Sequence, residues 1–561
     1  MEERIIRAVQ AALTEAGALG VEFTVERPTA SAFGDYATNA ALVAAKTLTK
    51  NPRELANTLG EGIAFHLGTT AENVSVAGPG FINITLSRDA ITLAVAEAAA
   101  KGEDWGAGTD TKGKRVLVDY ANPNPFKEMH VGHLMSAILG EAFARLKRSR
   151  GAEVLGCSFG GDVGPHVAKA LWGARKQGLV EIVTAAEIGA AYVTGATAYE
   201  TDEQAKSEID ALNVRIYDVV GRGGRGESLN EDDHALYTLW QQGREVSMEE
   251  IRRVFALFGT KLDYDFFDSD TSEPGLRVVR DGLAAGVFTE SEGAVIYDGE
   301  KKGLHTLVFI TSRGTPTYEA KDVGLAFLKE ERIPSDESII VTSNEQVGHF
   351  KVVLAALSEL APQLAAKTQH VPHGFFRLTE GKMSSREGTV ITAVAFYDDI
   401  VAKAAERNSD AVVAAQVAVG AIKYMVLRQS AGSDIIFDPE KSLSLEGDSG
   451  PYLQYALVRA KKILAYGDNG EGGKEEPAEP YAVERLIVHY PEVVARAARE
   501  LAPNLLLTYL TELAASWNAF YASEQILGSP EEAYKQRVAK AFATTMTNGL
   551  TLLGIPTPDR M

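Results

Sequence analysis

The stretch RVLVDYANPNPFKEMHVGHLMSAILGEAFARLKRSRG, residues 115 to 151, decides the fold. RVLVDY reads as a β run, and ANPNPFKEM, with two prolines, cannot be regular. HVGHLMSAILGEAFARLKRSRG has helical period, with Gly151 as its stop. AEVLGCSFG follows as a second strand, so the unit is a parallel βαβ. Downstream, about 165 to 255 is mostly polar and helical and contains GRGGRG at 221 to 226, which reads as an insertion carrying a loop. The alternating pattern resumes with AVIYDG, HTLVFIT and SIIVTS, with helical segments after Tyr318 and after Gln346. Upstream, helical periodicity mixes with the β runs Asn73 to Val76 and Phe81 to Leu86, and Gly102 to Thr111 reads as a linker. Beyond about residue 396 the pattern is helical throughout, interrupted by the polar stretch 467 to 480. The predicted architecture is α/β: a Rossmann-type parallel-sheet domain (111–395) split by the insertion, an N-terminal α+β domain (1–110) and a C-terminal all-helical domain (396–561).

Composition narrows the class. The chain has 561 residues, 45% of them hydrophobic, enough for several cores. Cys157 is its one cysteine, so no disulfide framework and no CxxC structural zinc site is expected, and a reducing, cytoplasmic setting is the simplest reading. The opening MEERIIRAVQAALTEAG is an amphipathic helix rather than a signal peptide, and no run of 18 apolar residues predicts a membrane span. A net charge of −20 argues against a protein that coats nucleic acid nonspecifically. It leaves room for a polyanionic partner held on one basic face.

The chemistry concentrates in two segments. His130-Val131-Gly132-His133 stands where the loop after the first strand enters a helix, a place that offers unpaired N–H groups and positive dipole to an anion. The two imidazoles share a helix face and can donate to phosphate oxygens, while Gly132 permits close approach. Taken alone, the four residues are as well read as surface histidines flanking a glycine. The second segment, Gly381-Lys382-Met383-Ser384-Ser385-Arg386-Glu387-Gly388, is either a solvated turn or a loop that closes over a triphosphate and neutralises charge as pyrophosphate leaves.

Together and in this order, the two segments resemble the HIGH and KMSKS motifs of class I aminoacyl-tRNA synthetases. The resemblance implies ATP binding by His130, Gly132, His133, Lys382, Met383, Ser384 and Ser385, with Mg²⁺ on the phosphates, and catalysis by His130, His133, Lys127 and Lys382. Ser385 stands where the usual motif has a second lysine. Arginyl-tRNA synthetases often lack that lysine and are thought to compensate with one before the first motif, the place Lys127 occupies in FKEMHVGH.

The resemblance to arginyl-tRNA synthetases extends over nearly the whole chain. VDYANPNPFKEMHVGHL puts Asn124 where the family contacts the α-amino or carboxylate group of its substrate, and TPTYEAKD gives Tyr318 and Asp322 one helical turn apart. NEQVGHF puts Gln346 on a third pocket position, and DFFDSDT puts Asp268, one methylene shorter, where relatives usually carry Glu. A guanidinium is a planar cation with a fork of donors, so a selective pocket needs carboxylate oxygens, here Asp268 and Asp322, with a phenol or amide, here Tyr318 and Gln346. Lysine would leave part of such a set unpaired, so no editing domain is required.

At the ends, SAFGDYATNAALVAAK with AGPGFINITL resembles the family's N-terminal tRNA-contacting domain. Phe33, Tyr36 and Asn39 there are either base contacts or core aromatics and a cap, with the core preferred for Phe33. GDSGPYLQYALVRAKKIL and SWNAFYASEQIL resemble its helical anticodon-binding domain, making Tyr452, Tyr455, Arg459 and Trp517 candidates for tRNA contact, although Trp517 is expected to pack between helices. The implied partners are arginine, ATP and tRNA(Arg), with no DNA and no membrane, acting as a monomer. The rival readings are another class I synthetase or nucleotidyltransferase, an inactive tRNA-binding paralogue, and GRGGRG as an RNA-binding segment.

Overall fold

A computed structural model describes residues 1–379, 391–467 and 475–561. Its centre is a five-stranded sheet in the spatial order Thr368–His373, Glu337–Ser343, Arg115–Asp119, Glu153–Gly160, Tyr264–Phe267. All four pairings are parallel. The chain starts in the middle, builds outward on one side, then returns to build the other. The strand order therefore reverses between Arg115–Asp119 and Glu337–Ser343, and the crevice beyond their carboxyl ends is where ligands bind in such sheets. Val116 to Asp119 are buried, as expected of a central strand covered on both faces.

The helix Val131–Ser149 follows the first strand and is buried around most of its circumference. Lys147 and Arg148 in its last turn complement the helix dipole, and Gly151, at φ 92°, takes the left-handed conformation that turns the chain into the second strand. Arg145 ties this helix to the rest of the molecule. Its guanidinium donates to Glu141 at 2.7 Å and to the carbonyls of Thr551 and Gly259, each at 2.9 Å.

The insertion is four helices, Pro165–Lys176, Ala185–Thr201, Glu203–Gly224 and Glu231–Leu257, around their own apolar core. GRGGRG is helical through Gly224 and turns only at Arg225 and Gly226; a Cβ on Gly223 would lie 2.5 Å from the Tyr237 ring, so glycine there serves helix packing. Its arginines are paired, Arg222 with Asp218 at 2.9 Å and Arg225 with Glu227 at 2.6 Å. AVIYDG and HTLVFIT do not join the parallel sheet either. Ala294–Tyr297 and Leu307–Ile310 pair antiparallel with each other and with Thr289–Ser291 in a separate three-stranded sheet.

The two ends of the chain pack together. The N-terminal part is a four-stranded antiparallel sheet backed by helices, and among the described residues the regular structure of the C-terminal part is helical except for Ile435–Phe437, which pairs with Phe376–Leu378 across residue 395. Arg27 makes a two-pronged contact with Glu512 at 2.5 and 2.7 Å, and Arg485 reaches Asp35 at 2.8 Å. The expected linker at 102 to 111 is anchored at its start: the buried Trp105 donates its indole N–H to Thr545 at 3.1 Å, and Asn548 donates to the Gly102 and Trp105 carbonyls. Among the described residues no helix is long and apolar enough to cross a membrane.

Candidate active site

The loop from Tyr120 to His130 is strained. Ala121, Asn122 and Phe126 have φ of 76°, 39° and 65°, conformations unfavourable for residues with a Cβ and rare for a bulky aromatic. The surroundings hold it there. Asn122 Oδ1 accepts from the Phe159 N–H at 2.9 Å and Asn124 Oδ1 from the Gly161 N–H at 2.8 Å, tying the loop to the end of the second strand. Phe126 is fully buried in the core of the insertion, its N–H donates to Ser247 at 3.0 Å, and its ring fills the space that a Cβ on Gly243 would enter at 2.3 Å.

The histidine pair caps the helix that follows. His130 is the N-cap residue, and its Nδ1 accepts from the Gly132 N–H at 3.1 Å; His133 Nδ1 accepts from the His130 N–H at 3.3 Å. Both Nδ1 atoms therefore act as acceptors, which places the proton of each neutral ring on Nε2 and leaves that N–H as a donor. The rings lie 3.7 Å apart. Burial, and then the charge of the nearby exposed Lys127, lowers the pKa of His130; burial, with His130 and Lys127, brings that of His133 to about 3. Both rings are thus neutral hydrogen-bond donors at pH 7.

These groups open onto a cavity of about 500 Å³ at the sheet's reversal point. It is lined by His130, Gly132 and His133, and also by Asn124, Asp268, Tyr318, Asp322 and Gln346. All five residues expected to bind the amino acid are therefore in one crevice with the histidine pair. Tyr318, 70% exposed, begins the helix Tyr318–Arg332, one turn before Asp322; Gln346 precedes the helix Val347–Leu360.

Both candidate carboxylates already have cations beside them. Asp268 is buried and paired with the Lys321 ammonium at 3.0 Å, and Asp322 accepts from His349 Nε2 at 2.5 Å. His349 Nδ1 lies 3.4 Å from Glu319. Although burial opposes its charge, hydrogen bonds to Asp322 and Glu319 raise the His349 pKa to about 9. Burial holds Asp322 above the usual carboxylate range, with His349 opposing. Lys321, His349 and Glu319 lie inside TPTYEAKD and NEQVGHF, yet the sequence reading passed over all three. The two acids and two cations were visible as letters; their pairing depends on the angle between two helices.

The second motif, including Lys382, Met383, Ser384 and Ser385, lies outside the described residues. The chain that leaves it is next to the first motif: the Val131 N–H donates to the Ile391 carbonyl at 3.1 Å, and the Ala393 N–H to that of Met129 at 2.8 Å.

Three family models match in succession: "Arginyl tRNA synthetase N terminal domain" at residues 3–86, "tRNA synthetases class I (R), catalytic domain" at 95–439, and "DALR anticodon binding domain" at 453–561. The chain belongs to the arginyl-tRNA synthetases. It is 31% identical to the arginine–tRNA ligase of Treponema denticola over 85% of each chain, and 30% identical to that of Bdellovibrio bacteriovorus over 95% of this chain and 93% of the other. Among solved structures, Thermus thermophilus arginyl-tRNA synthetase superposes with a TM-score of 0.80 at 25% identity over the full length of both chains. The Plasmodium falciparum enzyme, at 20% identity and TM-score 0.79 over 100% of this chain and 98% of the other, shares the fold.

The candidates for tRNA contact separate by exposure. Trp517 is 0% exposed and stacks on Phe542 at 4.5 Å, and Tyr36 is 1% exposed with its hydroxyl on Glu492, so burial takes both rings away from any base. Phe33, read as core, is instead 50% exposed. Asn39 accepts from the Thr24 N–H at 2.8 Å. Tyr452 is half-buried; Tyr455 and Arg459 are joined at 3.2 Å, with the guanidinium over the Tyr455 ring.

Proposed function

We propose that this chain activates L-arginine with ATP and transfers it to the terminal adenosine of tRNA(Arg), releasing diphosphate and then AMP. The reading is carried by one observation: a single cavity is lined both by two neutral Nε2–H donors at a helix start and by the acidic, phenolic and amide groups suited to a guanidinium. The arginine carboxylate attacks the α-phosphorus of ATP, the bond to the β-phosphate oxygen breaks, and pyrophosphate leaves with both bonding electrons. ATP enters as its Mg²⁺ complex. No protein nucleophile is required; His130 and His133 donate to phosphate oxygens, and Lys127 and Lys382 add positive charge as the negative charge shifts to the leaving group. A terminal hydroxyl of tRNA then attacks the acyl carbon, and AMP departs. Asn124 holds the amino-acid backbone, and Tyr318, Asp322 and Gln346 hold the side chain.

We assign residues 1–110 to tRNA contact, 111–395, with its insertion at 165–255, to the chemistry, and 396–561 to the anticodon, in a cytoplasmic monomer. The test is to charge total tRNA with each of the twenty amino acids in turn. Arginine alone should be incorporated, and incorporation of another amino acid, or of none, overturns the assignment.

A further inference from the structure

The guanidinium end of the cavity contains more acid than the two aspartates that the motif comparison supplied. His349 stands between two carboxylates of the helix Tyr318–Arg332, with Nε2 against Asp322 at 2.5 Å and Nδ1 3.4 Å from Glu319. The three side chains are 14 to 18% exposed, enclosed but open to the cavity that they line. A neutral imidazole has one N–H, and would set its lone pair against one of the two acids; an imidazolium offers an N–H to each. One cation therefore serves two anions. Of the other acids, Glu345 also lines the cavity but is exposed, so water screens its charge more than that of the enclosed Glu319. Asp268 has Lys321 as its own partner, and the Asp119–Lys329 ion pair behind Asp322 is internally neutral. His370, on the far side of the Phe350 ring, is kept uncharged by burial and by His349, its pKa lowered to about 4.

We propose that Glu319 supplies the uncompensated negative charge that selects the guanidinium, and that His349 is the positioning residue that holds Glu319 and Asp322 at the spacing of a planar cation. The inference rests on the arginine reading above and deepens it. With Glu319 absent, Asp322 and His349 would form a balanced pair, and only the water-screened charge of exposed Glu345 would remain to attract an incoming cation. With both acids present, the site lacks one positive charge, which arginine carries and its neutral ureido isostere citrulline does not. Burial alone would raise the Glu319 pKa, yet the His349 ring, the Thr317 hydroxyl and a backbone N–H hold it below its ordinary value, so the group is ionised at neutral pH.

The experiment measures tRNA-supplemented, arginine-dependent ATP–pyrophosphate exchange for the full-length parent, Glu319→Gln, Glu319→Asp and His349→Gln, with citrulline as competitive inhibitor. Glu319→Gln should raise KM for arginine about tenfold or more, as expected for loss of a charged hydrogen-bond partner, leaving kcat and the citrulline inhibition constant near the parental values. Glu319→Asp should recover a substantial part of the loss. In His349→Gln the two acids lose their shared cation and one retains a proton, so KM for arginine should fall as pH rises from 6 to 8.5, where the parent is flat. An unchanged KM in folded Glu319→Gln, an equal loss in Asp and Gln, or a His349→Gln profile parallel to the parent overturns the proposal. A parent that charges tRNA with an amino acid other than arginine defeats the functional reading instead, and the two failures are distinct.

Discussion

Histidine appears at both ends of one cavity and does opposite work. At the end proposed to hold the nucleotide, His130 and His133 are neutral, because burial and the neighbouring Lys127 disfavour a charge. At the end proposed to hold the guanidinium, His349 keeps its proton, because Asp322 and Glu319 face its two nitrogens. The difference teaches that residue type specifies little here and neighbours specify the rest. Phosphate oxygens call for fixed N–H donors with no competing counter-ion; a carboxylate pair awaiting a cation calls for a spacer that carries charge.

The sharpest way to break this comparison is to remove a donor from the nucleotide end. His133→Ala should slow adenylate formation in single turnovers by about 10²- to 10³-fold, the usual cost of one preorganised donor to developing charge, with arginine affinity nearly unchanged. Equal losses in rate and in arginine binding would show that the two ends are not separate. Next in size, Asp322→Asn acts at the other end. It leaves His349 one acid instead of two, and KM for arginine should rise about 10- to 100-fold while KM for ATP stays within about twofold. A matching rise for ATP would contradict the division of the cavity.

A third variant reaches the nucleotide end from a distance. Gly243→Ala places a methyl 2.3 Å from the Phe126 ring, inside the packing that keeps a strained loop in place. Overpacking of this kind costs about 1–3 kcal/mol, and with the loop displaced kcat should fall about tenfold while arginine KM holds. A thermal melt alongside the kinetics separates loss of fold from loss of geometry.

The sequence revealed the crevice more clearly than its wiring. A strand of five residues, a proline-broken loop and a helix opening on histidine can be built in few ways, and RVLVDYANPNPFKEMHVGHL accordingly located both the sheet and its ligand edge. Short apolar runs carry no such information about partners. AVIYDG and HTLVFIT have the composition of parallel core strands, but they hydrogen-bond to each other in an antiparallel sheet, a pairing set by tertiary contact rather than by either segment. Glycine count misled in the same way: GRGGRG suggests a loop until Gly223 is seen beneath the Tyr237 ring. Tyr318 and Asp322 were found through the resemblance of TPTYEAKD to the family's sequences, and the helical turn between them agrees with a shared face. Lys321 and His349 were missed because which acid each cation reaches depends on side-chain direction across two helices.

The smallest effect separates the two ends by sign. His349 is raised from an ordinary value near 6.5 to about 9 in the folded protein, so the folded state retains a proton that the unfolded chain releases between those values. Its contribution to stability is complete below pH 6.5 and is lost as pH rises through about 9. His133 is depressed from 6.5 to about 3, so below pH 6.5 the unfolded chain takes up a proton that the folded protein refuses, and stability falls as pH drops toward 3. Urea midpoints of His349→Gln and His133→Gln, each subtracted from the parent across pH 5 to 10, should therefore differ in shape. Above about pH 8 the first difference should fall as His349 of the parent loses its proton, and the second should stay level. Differences that vary over the same pH range would mean that the three histidines share one electrostatic environment, and the contrast between the two ends would be lost.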